Sequence, residues 1–220
     1  MVTMSRSAAC GANGGLRGLC AITPDWPDTR RLLTASEAIL AGGCRILQYR
    51  NKTARPSRRQ EQAVALRGLT RRFAARLIIN DDVDLALFCD ADGVHLGEDD
   101  GELGAARGRL GAGKILGASC YQDLELARRA ARAGADYLAF GSFFASPTKP
   151  QARRADPSVL IAARLETGLP VCAIGGISLE NAAPLLAAGA DLLAVITALY
   201  GAADPAQAAT KFTQLFEEKP

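Results

Sequence analysis

From residue 18 onward the chain alternates short apolar runs with longer stretches whose apolar positions recur about every 3.6 residues. The runs GLCAIT (18–23), RILQYR (45–50), RLIIN (76–80), GVHL (93–96), KILGAS (114–119), YLAFG (137–141), PVCAIG (170–175) and LLAVIT (192–197) predict eight strands. The intervening stretches predict helices. TRRLLTASEAILAGG closes on glycine, as a helix C-terminus does. LELARRAARAGA is expected to set Leu126, Ala130 and Ala131 on one apolar face. In SLENAAPLLAAGA, Ser178 is the expected N-cap and Pro184 makes the first turns irregular. The last helix, DPAQAATKFTQLFEE, spaces Ala206, Ala209, Phe212 and Leu215 helically.

One phrase recurs. ILAGGCRILQYR, ARAGADYLAFGS and LAAGADLLAVIT each run helix, glycine-containing turn, apolar strand, which is the joint of a repeated βα unit. Eight such units predict a single α/β domain, a (β/α)8 TIM barrel over residues 18–220. A doubly wound open sheet would alternate in the same way and is the competing fold. No G-x-G-x-x-G follows the first strand, which weakens a dinucleotide-binding version of it.

Composition changes this picture little. The 220 residues are 49% apolar and 22% charged, as in an ordinary globular chain, and the net charge of +3 is too small to indicate nucleic acid. No apolar run approaches the roughly 18 residues of a membrane span. Residues 1–17 lack the apolar core of a signal peptide and are rich in Gly, Ser and Ala, so a flexible tail is expected there. The six cysteines show no metal-ligand spacing and are expected to be small core residues in a reducing cytoplasm. The single histidine, His95, lies inside a strand-like run and is assigned a structural role.

In a barrel the chemistry sits where strands end, and four stretches stand out there. In RILQYRNK, strand alternation places Ile46, Gln48 and Arg50 on one face; if Ile46 points inward, Arg50 does too, with Lys52 following, and the two cations want an anion. Asn80 continues the Ile78 face into Asp81, and GVHLGEDD ends in Asp100. Two carboxylates on adjacent loops, without His or Cys, make a hard oxygen site suited to Mg²⁺, although acidic pairs alone are usually only solvated loop. GSFFASPTKPQARR carries Ser142, Ser146, Thr148, Lys149, Arg153 and Arg154 in a long loop that suits a phosphate and a lid, or else is simply a basic surface segment. AIGGIS and AVITA follow strands seven and eight, where barrels commonly bind phosphate through backbone N–H groups. Two anion sites emerge: one metal-assisted, with Arg50, Lys52, Asp81, Asp100 and Lys149, and one a backbone cradle near Gly176, Ile196 and Thr197.

The segments LQYRNK, IINDDVDLAL, DGVHLGEDD, ILGASCY, SPTKP, AIGGIS and AVIT resemble those of the thiamine phosphate synthase (thiamine-phosphate pyrophosphorylase) family, in order and spacing, across about residues 18–215. That resemblance implies a (β/α)8 barrel that joins 4-amino-2-methyl-5-hydroxymethylpyrimidine diphosphate to a thiazole phosphate, in carboxylate or hydroxyethyl form, and releases pyrophosphate. It implies small-molecule substrates and Mg²⁺, with no nucleic-acid or membrane partner, and says nothing of oligomeric state. By resemblance Gln48, Arg50, Lys52, Asn80, Ser119 and Lys149 would bind the pyrimidine diphosphate, with Arg50, Lys52, Ser119 and Lys149 carrying catalysis. Asp81 and Asp100 would hold Mg²⁺. Ser146, Thr148, Gly176, Ile196 and Thr197 would hold the thiazole phosphate. The chemistry needs no protein nucleophile or general base, and none is evident in the sequence.

Three positions depart from the family pattern. Tyr49 stands where many relatives have Leu, on the outward face, Glu98 where they often have Gln, and Ser146 where Thr is common. A thiazole tautomerase-like barrel and a non-catalytic paralogue remain the competing functions. Keeping Arg50, Lys52, Asp81, Asp100 and Lys149 together argues against both.

Overall fold

A computed structural model of the chain describes residues 15–145 and 154–217. Eight parallel strands close into a barrel in sequence order. They are β1 (Gly18–Ile22), β2 (Ile46–Tyr49), β3 (Arg76–Asn80), β4 (Gly93–Leu96), β5 (Ile115–Tyr121), β6 (Tyr137–Phe140), β7 (Val171–Ile174) and β8 (Leu192–Val195). Helices α1 (Thr29–Ala41), α2 (Pro56–Arg72), α3 (Val83–Phe88), α4 (Leu103–Leu110), α5 (Leu124–Arg132), α6 (Ser158–Thr167) and α7 (Ala183–Ala187) connect them, and α8 (Thr197–Tyr200) and α9 (Pro205–Gln214) follow β8. Closure, with β1 paired to both β2 and β8, excludes the open sheet. Among the described residues no helix is long and apolar enough to cross a membrane.

Strand alternation sorts the core into two layers. Outward side chains such as Leu47, Tyr49, Leu77, Ile79, Leu138 and Phe140 pack against the helices. Inward ones, Cys20, Ile46, Ile78, Ile115, Tyr137, Cys172 and Leu192, fill the barrel. Tyr49 is outward as expected; it is buried, and its hydroxyl donates to Gln62 Oε1 at 2.8 Å. Leu16, assigned to the tail by composition, is buried with the inner layer, and Arg17 donates to the Phe216 carbonyl at 3.0 Å. Residues 1–14 lie outside the described residues.

Three helix details differ from expectation. The buried face of α5 is Ala127 and Ala130, with Leu124 and Leu126 only partly buried, because the helix lies on the sheet one position round from the most apolar stripe. Ser178 does not cap α7. Its N–H donates to Asn181 Oδ1, whose amide donates to the Gly176 carbonyl, so a turn precedes the helix and Ala182 is the N-cap residue. In α9 the buried set is Ala208, Ala209 and Phe212, with Leu215 packed at the edge.

The turns before the even strands β4, β6 and β8 have a physical role at the end of the barrel opposite the chemistry. Asp92 accepts from Leu77 N–H and from Arg67 of α2, both at 2.7 Å. Asp136 does the same for Leu116 N–H and Arg107 of α4, and Asp191 for Val171 N–H and Arg164 of α6. Each aspartate thus ties an even strand to the odd strand before it, with an arginine from the preceding helix. Asp92→Ala strands a strand N–H and leaves the mostly buried Arg67 guanidinium only its longer contact, 3.7 Å, with Asp90. It is expected to cost about 2 kcal/mol of stability in urea denaturation while leaving kcat within about twofold.

Candidate active site

Along β2 to β5 the inward positions change from apolar or glycine to polar within one or two steps: Ile46 to Gln48, Ile78 to Asn80, Gly93 to His95, and Ile115 through Gly117 to Ser119. Along β1 and β6 to β8 they stay apolar up to Ile22, Ala139, Ile174 and Ala194. The cavity of about 500 Å³ at the C-terminal mouth therefore has a polar wall facing an apolar one. That volume suits a small organic ligand.

The cationic side is organised from β1. Thr23 Oγ1 accepts from Arg50 N–H and donates to the Arg50 carbonyl, both at 2.8 Å. Asp25 takes both its oxygens to Arg50 Nη1 at 3.0 Å and accepts from Lys52 N–H at 2.8 Å. Sequence reading missed Asp25. Its only signal was an acid just past the first strand, and its partners are 25 and 27 residues away. Lys52 Nζ lies 3.0 Å from Asp81 Oδ2.

The two acidic clusters divide their labour. Asp81 has a left-handed backbone, φ +66°, and lines the cavity. Asp82 does not. It caps α3 by accepting from Leu85 N–H at 2.8 Å, and it pairs with Arg59. In the second cluster Glu98 and Asp99 are exposed and outside the cavity lining, whereas Asp100 lines it and accepts from Gly97 N–H at 2.9 Å. Burial first, and then contact with the Asp100 carboxyl, push Asp81 above the usual carboxylate range, with Lys52 pulling the other way. Two touching carboxylates demand a cation. Oxygen donors alone would suit a hard one, and this pair could supply two ligands. Among the described residues no group of three or more His, Cys, Asp or Glu is placed to hold a metal, so other ligands would have to come from water or a bound anion.

Gln48, Arg50, Lys52, Asn80 and Ser119 all line the cavity with Asp81 and Asp100. On the opposite side Gly175 and Ile196 line it, while Gly176 and Thr197 are not among the lining residues. Gly176 is needed for packing: a Cβ there would lie 2.3 Å from the Ala145 carbonyl oxygen. Thr197 opens the short helix α8. Ser142 also lines the cavity. Ser146, Thr148, Lys149 and Arg153 lie outside the described residues.

His95 is on the cavity floor, bonded at 2.9 Å to Ser119 Oγ through Nε2 and at 2.9 Å to the Tyr137 hydroxyl through Nδ1. Its role is structural in that both nitrogens are occupied, but what it holds is a site residue. Burial lowers its pKa from 6.5 to about 4, with Asp100 opposing, so it stays neutral. Stability from the neutral ring is complete above pH 6.5 and is lost as pH falls toward 4. The amount is roughly 3 kcal/mol. Urea unfolding between pH 7.5 and 4.5 should show this loss in the parent chain and a shallower slope in His95→Gln.

The five described cysteines are buried and free, as expected of core residues. Cys20 and Cys172 lie on the cavity floor, and burial raises both thiols.

Closed parallel barrel and furnished C-terminal mouth define the class: a (β/α)8-barrel enzyme acting on small molecules. The family model described as thiamine monophosphate synthase matches residues 19–199. A thiamine-phosphate synthase from Methylobacillus flagellatus is 59% identical over 201 residues, covering 91% of this chain and 96% of that protein. One from Thiobacillus denitrificans is 54% identical over 203 residues, with coverage of 92% and 96%. The solved thiamine phosphate pyrophosphorylase from Pyrococcus furiosus superposes with a TM-score of 0.82 at 37% identity, covering 93% of this chain and 97% of that one. The chain belongs to the thiamine monophosphate synthase family, and so to the transferases of thiamine biosynthesis.

Proposed function

We propose that this enzyme condenses 4-amino-2-methyl-5-hydroxymethylpyrimidine diphosphate with a thiazole phosphate, giving thiamine phosphate and pyrophosphate. The observation that carries the reading is the divided mouth, with Arg50, Lys52, Asp81 and Asp100 on one wall and an apolar wall opposite. A flat ring bearing a charged diphosphate has the same two-sided character. The C–O bond between the pyrimidine methylene and the diphosphate breaks heterolytically, the pair leaving with pyrophosphate. The thiazole nitrogen lone pair then forms the new C–N bond to the methylene cation.

Arg50, oriented by Asp25, and Lys52 neutralise charge on the departing group. Gln48, Asn80 and Ser119 orient the pyrimidine, Ser119 being held by His95. Lys149 would add a further cation, and Ser146, Thr148, Gly176, Ile196 and Thr197 would receive the thiazole phosphate. Asp81 and Asp100 would hold Mg²⁺, which when bound shields negative charge on the diphosphate oxygens. Glu98 is exposed and outside the lining, so its difference from the common Gln acts on this site only at a distance.

The test is pyrophosphate release by purified protein with each substrate alone, with both, and with both plus chelator. Release that needs both substrates and the metal is the expected result. Isomerisation of a thiazole phosphate carboxylate without pyrophosphate release would replace this reading by the tautomerase one.

A further inference from the structure

Four described non-glycine residues have left-handed backbones: Ala74, Asp81, Asp90 and Tyr121. Ala74 and Asp90 follow the ends of α2 and α3, where such a residue commonly closes a helix. The other two end strands at the mouth and line the cavity. Asp81 belongs to the acidic pair, and Tyr121 has no part in the reaction as derived above.

Tyrosine is a costly residue to hold at φ +54°. Its backbone is pinned from two sides. The β5–β6 ladder shifts register between Ser119 and Tyr121, and the Tyr121 carbonyl accepts from Gly141 N–H at 2.8 Å. The Cys120 carbonyl accepts from Asp123 N–H at 2.8 Å, and Asp123 caps α5. The strained turn leaves the ring 39% exposed at the rim of the cavity. The space above Gly97 is bordered by its hydroxyl and by Asp100. A Cβ placed on Gly97 would lie 3.7 Å from Tyr121 Oη and 2.7 Å from Asp100 Oδ2.

Charge makes that location informative. Arg50 is committed to Asp25 and Lys52 to Asp81. Among the described residues Asp100 has no ion-pair partner, so on that side the protein offers a phosphate oxygen no cationic side chain, only the carboxylate that would carry the metal. A neutral O–H is a donor that can serve there without adding charge.

We propose that Tyr121 is a substrate-positioning residue that closes the Asp100 side of the mouth, donating its phenol O–H to the diphosphate and then to the released pyrophosphate. The assignment rests on the function proposed above. It is tested by calorimetric titration of inorganic pyrophosphate, in Mg²⁺ buffer, into the parent chain, Tyr121→Phe and Tyr121→Gly. Thermal melting of each protein and KM for each substrate complete the set. Tyr121→Phe is expected to melt with the parent, to bind pyrophosphate about tenfold more weakly, and to raise KM for the pyrimidine diphosphate alone. Tyr121→Gly is expected to melt no lower than the parent, because glycine accepts the left-handed backbone, and yet to lose at least as much affinity. A residue that merely made the turn would not separate stability from binding in this way. Equal pyrophosphate affinity in the parent and Tyr121→Phe overturns this assignment alone. Absence of pyrophosphate binding by the parent overturns it together with the reading of the mouth.

Discussion

Asp81→Asn is expected to lower kcat by at least about a hundredfold while leaving the protein as stable as the parent or more so. Both parts follow from the same geometry. The Asp81 carboxyl is half-buried against Asp100, and both burial and that contact raise its pKa. A carboxyl so raised contributes stability in its protonated form, fully present below its unfolded value and lost as pH rises through its folded one. The ionised form is therefore a liability in the empty mouth, and a neutral amide of the same shape avoids it. The ion pair with Lys52 offsets little, since the lysine side chain is 54% exposed. Thermal melting at pH 7.5 with and without Mg²⁺ plus pyrophosphate checks both halves. The parent should be stabilised by the pair, by about 2.7 kcal/mol at a hundred times the dissociation constant, and Asp81→Asn should not. An Asp81→Asn protein that turns over at the parent rate would remove Asp81 from the proposed site.

Gly117→Ala is the second large effect, and here stability and activity fall together. Gly117 points into the barrel from β5, and Tyr137 of β6 lies across it. A Cβ on Gly117 would sit 2.2 Å from Tyr137 Cζ and 2.5 Å from its hydroxyl oxygen. The ring is buried at the cavity floor and held by its bond to His95, so the added methyl overpacks the barrel at a cost of about 3 kcal/mol, roughly 6–12 °C of melting temperature. Displacing Tyr137 also breaks its 2.9 Å bond to His95, which in turn holds Ser119. The expected result is a loss of kcat/KM of about tenfold or more, even at temperatures where the variant stays folded. Tyr137→Phe in the same background separates the two effects. It removes the hydroxyl oxygen, one of three side-chain atoms within 2.5 Å of the new methyl, and should recover a small part of the stability but none of the lost activity.

The barrel was legible because its signals are local. Eight apolar runs, each within a few residues of the strand observed, and the recurring glycine joint are properties of neighbouring residues, and closing the ring follows from how twisted βα units pack. The facing of Gln48 and Asn80 was legible for the same reason, since alternation along a strand needs only one inward residue to set it. Asp81 and Asp100 were singled out from strand position and resemblance, but the reason they and not Asp82, Glu98 or Asp99 line the cavity lies in a backbone angle and the neighbouring loop, which no local pattern encodes. Ser178 was misread as a cap because Asn181, whose side chain makes the competing turn, is as common in loops as at helix starts. Asp25 on Arg50, Tyr137 across Gly117 and Tyr121 beside Asp100 depend on contacts between strands that only barrel closure brings together. The amino-acid order thus determined which residues reach the mouth. Which of them touch, and so which carry charge, proton or strain there, was decided by the tertiary structure, because those energies depend on distance across strands.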